Sequence, residues 1–209
     1  MKLSKLTGIV KKHRYISVFT HELVQWVSVG GAAYPMYGMP PVATPDQLLS
    51  VMDVPWDERE GYTVDFIADP GAVFADLTGE DVMLYDMPAL FQWRGCVFAP
   101  LKTDGGQLYW INERFLAPVM GADEIHYALR DVGVGMPTIA VFDGMSICAV
   151  IGVRIAPPEV EDALREMLEG VGMSWRRGYR VSREMVSRMG GYQIPVTGFV
   201  KAEVTDDDE

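Results

Sequence analysis

The chain has 209 residues, is 49% hydrophobic and 22% charged, and carries a formal net charge of −11. That composition is globular and excludes general disorder, and a chain of this length buries roughly 70% of its unfolded surface without staples. Two cysteines, Cys96 and Cys148, lie in apolar runs without CxxC spacing and read as reduced core residues rather than a disulfide framework.

In chain order, residues 2–12 predict a short amphipathic helix with Leu3, Leu6, Ile9 and Val10 on one stripe. RYISVF and LVQWVSV follow as two strands, since Val, Ile, Phe and Trp suit a pleated surface. Gly30 and Gly31 open a Pro/Gly-rich loop, AAYPMYGMPPVATP, whose backbone needs special φ values or lacks donors. Thr44, Pro45 and Gln47 then form a capping-box start for a helix ending by Val54, because Pro55 disfavours helical geometry before it.

GYTVDFIA, GAVFADL and DVMLYDM read as three strands, and RGCVFAPL and QLYWI as a hairpin around TDGG. ADEIHYALRDV, with an acidic start and Ile125 and Leu129 four apart, predicts a helix. PTIAVFDGMSICAVIGVRI predicts a hairpin turning at Asp143 and Gly144, and PPEVEDALREMLEG a docked amphipathic helix stopping at Gly170. TDDDE is a solvated tail.

An apparent repeat runs through this order. Trp26 and Tyr109 are 83 residues apart, as are Pro35 and Pro118, and each pair precedes an acidic helix-like segment. The expected fold is therefore α+β: an internally duplicated strand-strand-helix-hairpin unit forming a largely antiparallel sheet, plus a C-terminal helix. The corresponding divisions are 1–88 and 89–156 for the repeats and 157–209 for the appendage.

Charge is unevenly distributed. Lys2, Lys5, Lys11, Lys12 and Arg14 occupy the first fourteen positions without an acid, and Arg176, Arg177, Arg180, Arg183 and Arg188 cluster near Trp175 and Tyr179. Between Tyr15 and Trp175 stand 7 basic and 23 acidic residues. Such asymmetry steers a polyanion or an acidic partner to one face, or neutralises the acidic body within the molecule. Basic and aromatic side chains interleaved at Trp175–Arg180 suit phosphate and base contacts. The candidate nucleic-acid or partner-binding residues are thus Lys11, Lys12, Arg14, Trp175, Arg176, Arg177 and Arg180.

Catalytic patterns are missing. His13, His21 and His126 have no metal-ligand spacing, no phosphate-binding glycine loop follows a strand, and no GxSxG occurs. No catalytic, cofactor or metal residue is assigned, and no cofactor is expected. Asp65, Asp69, Asp76, Asp81 and Asp86 sit at turns or alternate with apolar residues, as on a strand's wet face. Trp26, Tyr34, Tyr37, Trp93, Tyr109 and Trp110 flank Pro/Gly loops, as core residues or as a stacking or peptide-docking surface.

KLSKLTGIVKKHRYISVF, QWVSVGGAAYPMYGMPP and FLAPVM resemble a group of proteins of no established activity carried by prophages and mobile elements of gut bacteria. In outline, a duplicated unit in a small acidic phage-type protein is also similar to the sliding clamps that tether DNA polymerases. Clamp inner helices are basic, whereas PDQLLSVMDV and ADEIHYALRDV carry almost no lysine or arginine. The resemblances imply a non-enzymatic phage or mobile-element accessory protein, clamp-like and DNA-associated. The alternatives are a small hydrolase or transferase with a site between the repeats, and an acidic DNA-mimic inhibitor. A protein partner or self-association is expected, with DNA as a further partner. With no run of about 18 apolar residues and no signal-peptide core, membrane association is not expected and the location is cytoplasmic.

Overall fold

The computed structural model describes residues 1–70, 74–87, 90–93, 95–121, 124–131, 137–153, 162 and 166. Helix α1 (Leu3–His13) forms as predicted, burying Leu6, Ile9 and Val10, with Lys11 and Lys12 in its last turn where cations complement the helix dipole. Arg14 ends it in the left-handed conformation, φ 57°, with its N–H on the Val10 carbonyl.

Strands β1 (Tyr15–His21) and β2 (Val24–Val29) form an antiparallel hairpin around Glu22 and Leu23. The next hairpin joins β2 to β3 (Ala32–Pro35) through Gly30 and Gly31 alone. Their φ values of 62° and 90° supply the twist-matched two-residue turn that only glycine adopts cheaply at both positions. Residues 32–35, expected as loop, are therefore a strand. The turn returns them beside β2, and all four are buried.

Helix α2 (Pro45–Val51) has the capping chemistry its sequence predicts: the Gln47 N–H donates to Thr44 Oγ1 at 3.3 Å, and Gln47 Oε1 accepts from the Ala43 N–H at 2.7 Å. A 3-10 turn (Trp56–Gly61) leads to β4 (Thr63–Phe66). The remaining elements are β5 (Val82–Asp86), β6 (Phe91–Trp93), β7 (Cys96–Lys102), β8 (Leu108–Asn112), α3 (Glu113–Leu116), β9 (Ile125–Asp131), β10 (Pro137–Asp143) and β11 (Ser146–Gly152).

The fold is α+β and its sheet is mostly antiparallel, as expected. The chain separates into two compact units. The first comprises Met1–Leu84 and Arg114–Val153. Its strands lie in the order β4-β1-β2-β3-β11-β10-β9-β5, and β1 with β4 is a parallel pair. Its core gathers Phe19, Trp26, Ala33, Phe74, Ala128, Ala140, Phe142, Ile147 and Val150. The second comprises, among the described residues, chiefly Tyr85–Glu113. There β7 pairs with β8 along one edge and with β6 and the end of β5 along the other.

The duplication is not shown. Trp26 and Pro35 lie on the β2–β3 hairpin, whereas Tyr109 lies on β8, which runs directly into α3, and Pro118 falls in the turn beyond it. The segment expected as the second helix is strand β9, paired with β10 along all seven residues and with β5 through Leu84, Met83 and Val82. Two flanking strands satisfy its backbone, which outweighs the helical spacing of Ile125 and Leu129. Phe74–Leu77, expected within a strand, is irregular. The predicted C-terminal helix over 157–170 lies, apart from Asp162 and Glu166, outside the described residues. Among the described residues, no helix is long and apolar enough to cross a membrane.

Candidate functional site

The parallel pairing of β1 and β4 builds the site. Tyr15 stands opposite Thr63 and Val18 opposite Phe66, partners 48 residues apart, and the Ile67 N–H continues the ladder to the Val18 carbonyl at 2.8 Å. The same spacing carried to the end of β1 sets His21 against Asp69, and His21 Nδ1 is 3.0 Å from both carboxylate oxygens. A carboxylate only accepts, so the Nδ1 that faces Asp69 carries a proton. Nε2 is buried and, among the described residues, has no hydrogen-bond partner.

His21 lies on the wall of a cavity of about 470 Å³ in the first unit. Trp26 on β2, Phe74, Val24 and Ile147 form its apolar surface; Glu22, Tyr37, Asp76 and Ser146 are its polar groups. Phe74 packs between Phe19 and Trp26, at ring-centroid distances of 4.8 and 4.9 Å, edge-on to the indole. Trp26 is 1% exposed, yet its indole Nε1 has no partner among the described residues. An indole N–H is a donor only.

Among the described residues, the segment carrying Phe74, Ala75 and Asp76 pairs with no strand, and side-chain bonds together with one backbone bond hold it. Asp76 Oδ1 accepts from the Ile147 N–H at 2.9 Å, and the Leu77 N–H reaches the Met145 carbonyl at 3.2 Å. From β9, Arg130 donates to the Ala75 and Asp76 carbonyls. The same guanidinium forms a fork on Asp81, Nε to Oδ1 at 2.8 Å and Nη2 to Oδ2 at 2.7 Å, and lies 5.1 Å from the centre of the Phe142 ring. Hydrogen bonds from Arg130, helped by Thr78 and opposed by burial, hold the Asp81 carboxyl below its ordinary range. Asp81 is thus not on a solvated face, as its turn position suggests: its side chain is 8% exposed and its partner's 10%.

Tyr37 is half exposed. Burial first, then the charges of Asp76, Cys148 and Glu22, raise its hydroxyl above the ordinary phenol range. Burial, followed by the charge of Asp143, pushes the Cys148 thiol up to about 12, so it is not a nucleophile at neutral pH.

The residues assigned from sequence to nucleic-acid or partner binding lie elsewhere. Lys11, Lys12 and Arg14 are exposed at the end of α1, outside the cavity lining, and the Arg14 guanidinium sits 5.9 Å from the Tyr62 ring. The structure adds Arg114 to this group: burial, then the charges of Arg114 and Lys12, lower the His13 pKa. Trp175, Arg176, Arg177 and Arg180 lie outside the described residues.

Sequence reasoning named Trp26 and Tyr37 but treated His21 as a strand-end histidine and Asp69 as solvated. The signal joining them is the parallel register, which no local pattern announces. Among the described residues, no group of three His, Cys, Asp or Glu side chains could hold a metal ion. No family model, curated protein or solved structure matches the chain.

Proposed function

We propose that this is a non-enzymatic binding protein whose first unit takes a small organic ligand into the His21–Trp26 cavity. The observation that carries the reading is the cavity itself, walled by Trp26, Phe74, Val24 and Ile147 and bearing His21, Glu22, Tyr37, Asp76 and Ser146 as polar groups. The volume of about 470 Å³ falls in the range of small-molecule sites. Binding is favoured over hydrolase or transferase chemistry because, among the described residues, His21 Nε2 touches no hydroxyl or thiol that it could activate. The test is an NMR fragment screen read at the Trp26 indole N–H, assigned with Trp26→Phe. Fragments that occupy the cavity shift this resonance; a diverse library that leaves it unmoved refutes the reading.

A second reading, nucleic-acid association as a phage or mobile-element accessory protein in the cytoplasm, is favoured by a specific surface. The first fourteen residues carry five basic side chains and no acid, and Lys5, Lys11, Lys12 and Arg14 are all exposed. If this face meets phosphate, replacing Lys11, Lys12 and Arg14 with Ala weakens binding about equally for all sequences and flattens its salt dependence, because phosphate contacts release counterions without reading bases. Replacing Arg176, Arg177 and Arg180 tests the second cluster in the same way. Fluorescence anisotropy titrations across salt measure both, and no wild-type binding at low salt points to a protein partner, including a second copy of the chain.

A further inference from the structure

Strand β4 ends the sheet of the first unit, and among the described residues nothing pairs with its outer side. We propose that this edge is a dimerisation surface: two copies of the chain pair their β4 strands antiparallel about a two-fold axis that sets Phe66 opposite Phe66.

The register to β1 decides which backbone groups point outward. The Thr63 N–H donates to the Arg14 carbonyl at 2.8 Å, and the Ile67 N–H to the Val18 carbonyl at 2.8 Å. Peptide groups alternate sides along a strand, so Thr63, Asp65 and Ile67 face β1 while Val64, Phe66 and Ala68 turn their N–H and C=O groups away from it. Such an edge is a template for another strand, and proteins commonly blunt it with lysine, proline or a bulge. β4 has none of these. Its one charged side chain, Asp65, accepts from the Tyr15 hydroxyl of β1 at 2.8 Å. Apolar surface accompanies the backbone: Phe66 is 45% and Ile67 46% exposed.

A second copy fits because the strand is complementary to itself in one register. Outward residues must oppose outward residues, which allows a two-fold axis within β4 at Val64, Asp65 or Phe66. An axis at Asp65 sets the two carboxylates directly opposite one another, where like charges repel. An axis at Val64 runs the pairing back into the 3-10 turn that ends at Gly61. With the axis at Phe66, Val64 pairs with Ala68, Asp65 stands across from Ile67, and the two half-exposed Phe66 rings form an aromatic cross-strand pair. Thr63 then stands across from Asp69 of the second copy. Arg14 lies at that end of the strand, its guanidinium 5.9 Å from the centre of the Tyr62 ring. Among the described residues Arg14 forms no ion pair, although Asp57, Glu58 and Glu60 occupy the turn before β4. The second copy thus brings a carboxylate to the end of the strand where Arg14 lies, and that carboxylate is the one bonded to His21 at the cavity wall.

The test is sedimentation equilibrium together with cysteine cross-linking on the full chain. Wild type is expected to rise from monomer towards dimer mass between micromolar and submillimolar concentration. Phe66→Lys, which sets two ammonium groups opposite one another at the axis, is expected to stay monomeric while keeping the wild-type circular-dichroism spectrum. Under mild oxidation Phe66→Cys is expected to cross-link, because directly opposed Cα atoms in this register lie about 5.5 Å apart, within disulfide reach. Val64→Cys, opposed by Ala68, is expected not to cross-link, whereas Val64→Cys/Ala68→Cys is. Wild type, with Cys96 and Cys148, is the blank. If Phe66→Lys loses its spectrum, the cysteine series decides alone. A wild type that stays monomeric throughout overturns the dimer, and a dimer that survives Phe66→Lys places it on another surface and overturns the assignment to β4. Val64→Cys cross-linking as well as Phe66→Cys overturns the register.

Discussion

Replacing Asp81 with Asn removes the charge that pairs with Arg130 while keeping the side chain's shape. The guanidinium, only 10% exposed, then stays buried against Phe142 with a neutral amide where it met a two-point carboxylate. Breaking a buried pair by removing one partner costs about 3–5 kcal/mol, mostly because an uncompensated charge is left behind. For a chain of this size that lowers the melting temperature by roughly 6–20 °C. The assay is urea unfolding of wild type, Asp81→Asn, Arg130→Met and the Asp81→Leu/Arg130→Met double variant. The double variant is expected to be more stable than Asp81→Asn, because it leaves no lone charge. The carboxyl is depressed in the folded state, so the unfolded chain binds more protons at acid pH. The pair's contribution is therefore fully present above the ordinary carboxylate pKa of about 3.9 and is lost as pH falls through the folded value, a fall that Asp81→Asn lacks. Since Arg130 also holds the Ala75 and Asp76 carbonyls, Asp81→Asn should disturb the Trp26 indole resonance. An Asp81→Asn protein within about 1 kcal/mol of wild type, set against the 3–5 expected, refutes the reasoning.

Leu6→Ala empties a fully buried position under α1 and should cost about 2–5 kcal/mol in denaturant unfolding. Thr44→Ala removes the α2 cap and should cost about 1 kcal/mol by the same measurement. Gly30→Ala puts a methyl 2.8 Å from the His13 ring at a φ of +62°, so His13 must move, and its ring resonances should shift along with a loss of stability. Cys148, its thiol pushed up to about 12, should resist iodoacetamide at pH 8 in the folded protein and react readily in urea, as followed by mass spectrometry.

What the sequence determined by itself is local. The stripe Leu6, Ile9, Val10 specifies α1, and Thr44-Pro45-x-Gln47 specifies where α2 begins. Gly30-Gly31 makes the β2–β3 turn, and the apolar runs either side of Gly144 make β10 and β11. Each signal acts between residues a few positions apart, where backbone preference and capping settle the matter. The even spacing of Trp26, Pro35, Tyr109 and Pro118 suggested a repeat because aromatic and proline landmarks report composition, not pairing. Only the tertiary structure decided the rest. Residues 125–131 became a strand because β10 and β5 satisfy both sides of its backbone. Phe74 left strand geometry to pack on Phe19 and Trp26, and Arg130 reached across 49 residues to Asp81. His21 found Asp69 because β4 lies parallel to β1. A parallel register is set by long-range burial and backbone pairing rather than by any neighbouring residue, so the histidine–carboxylate pair at the cavity exists only once the sheet has formed.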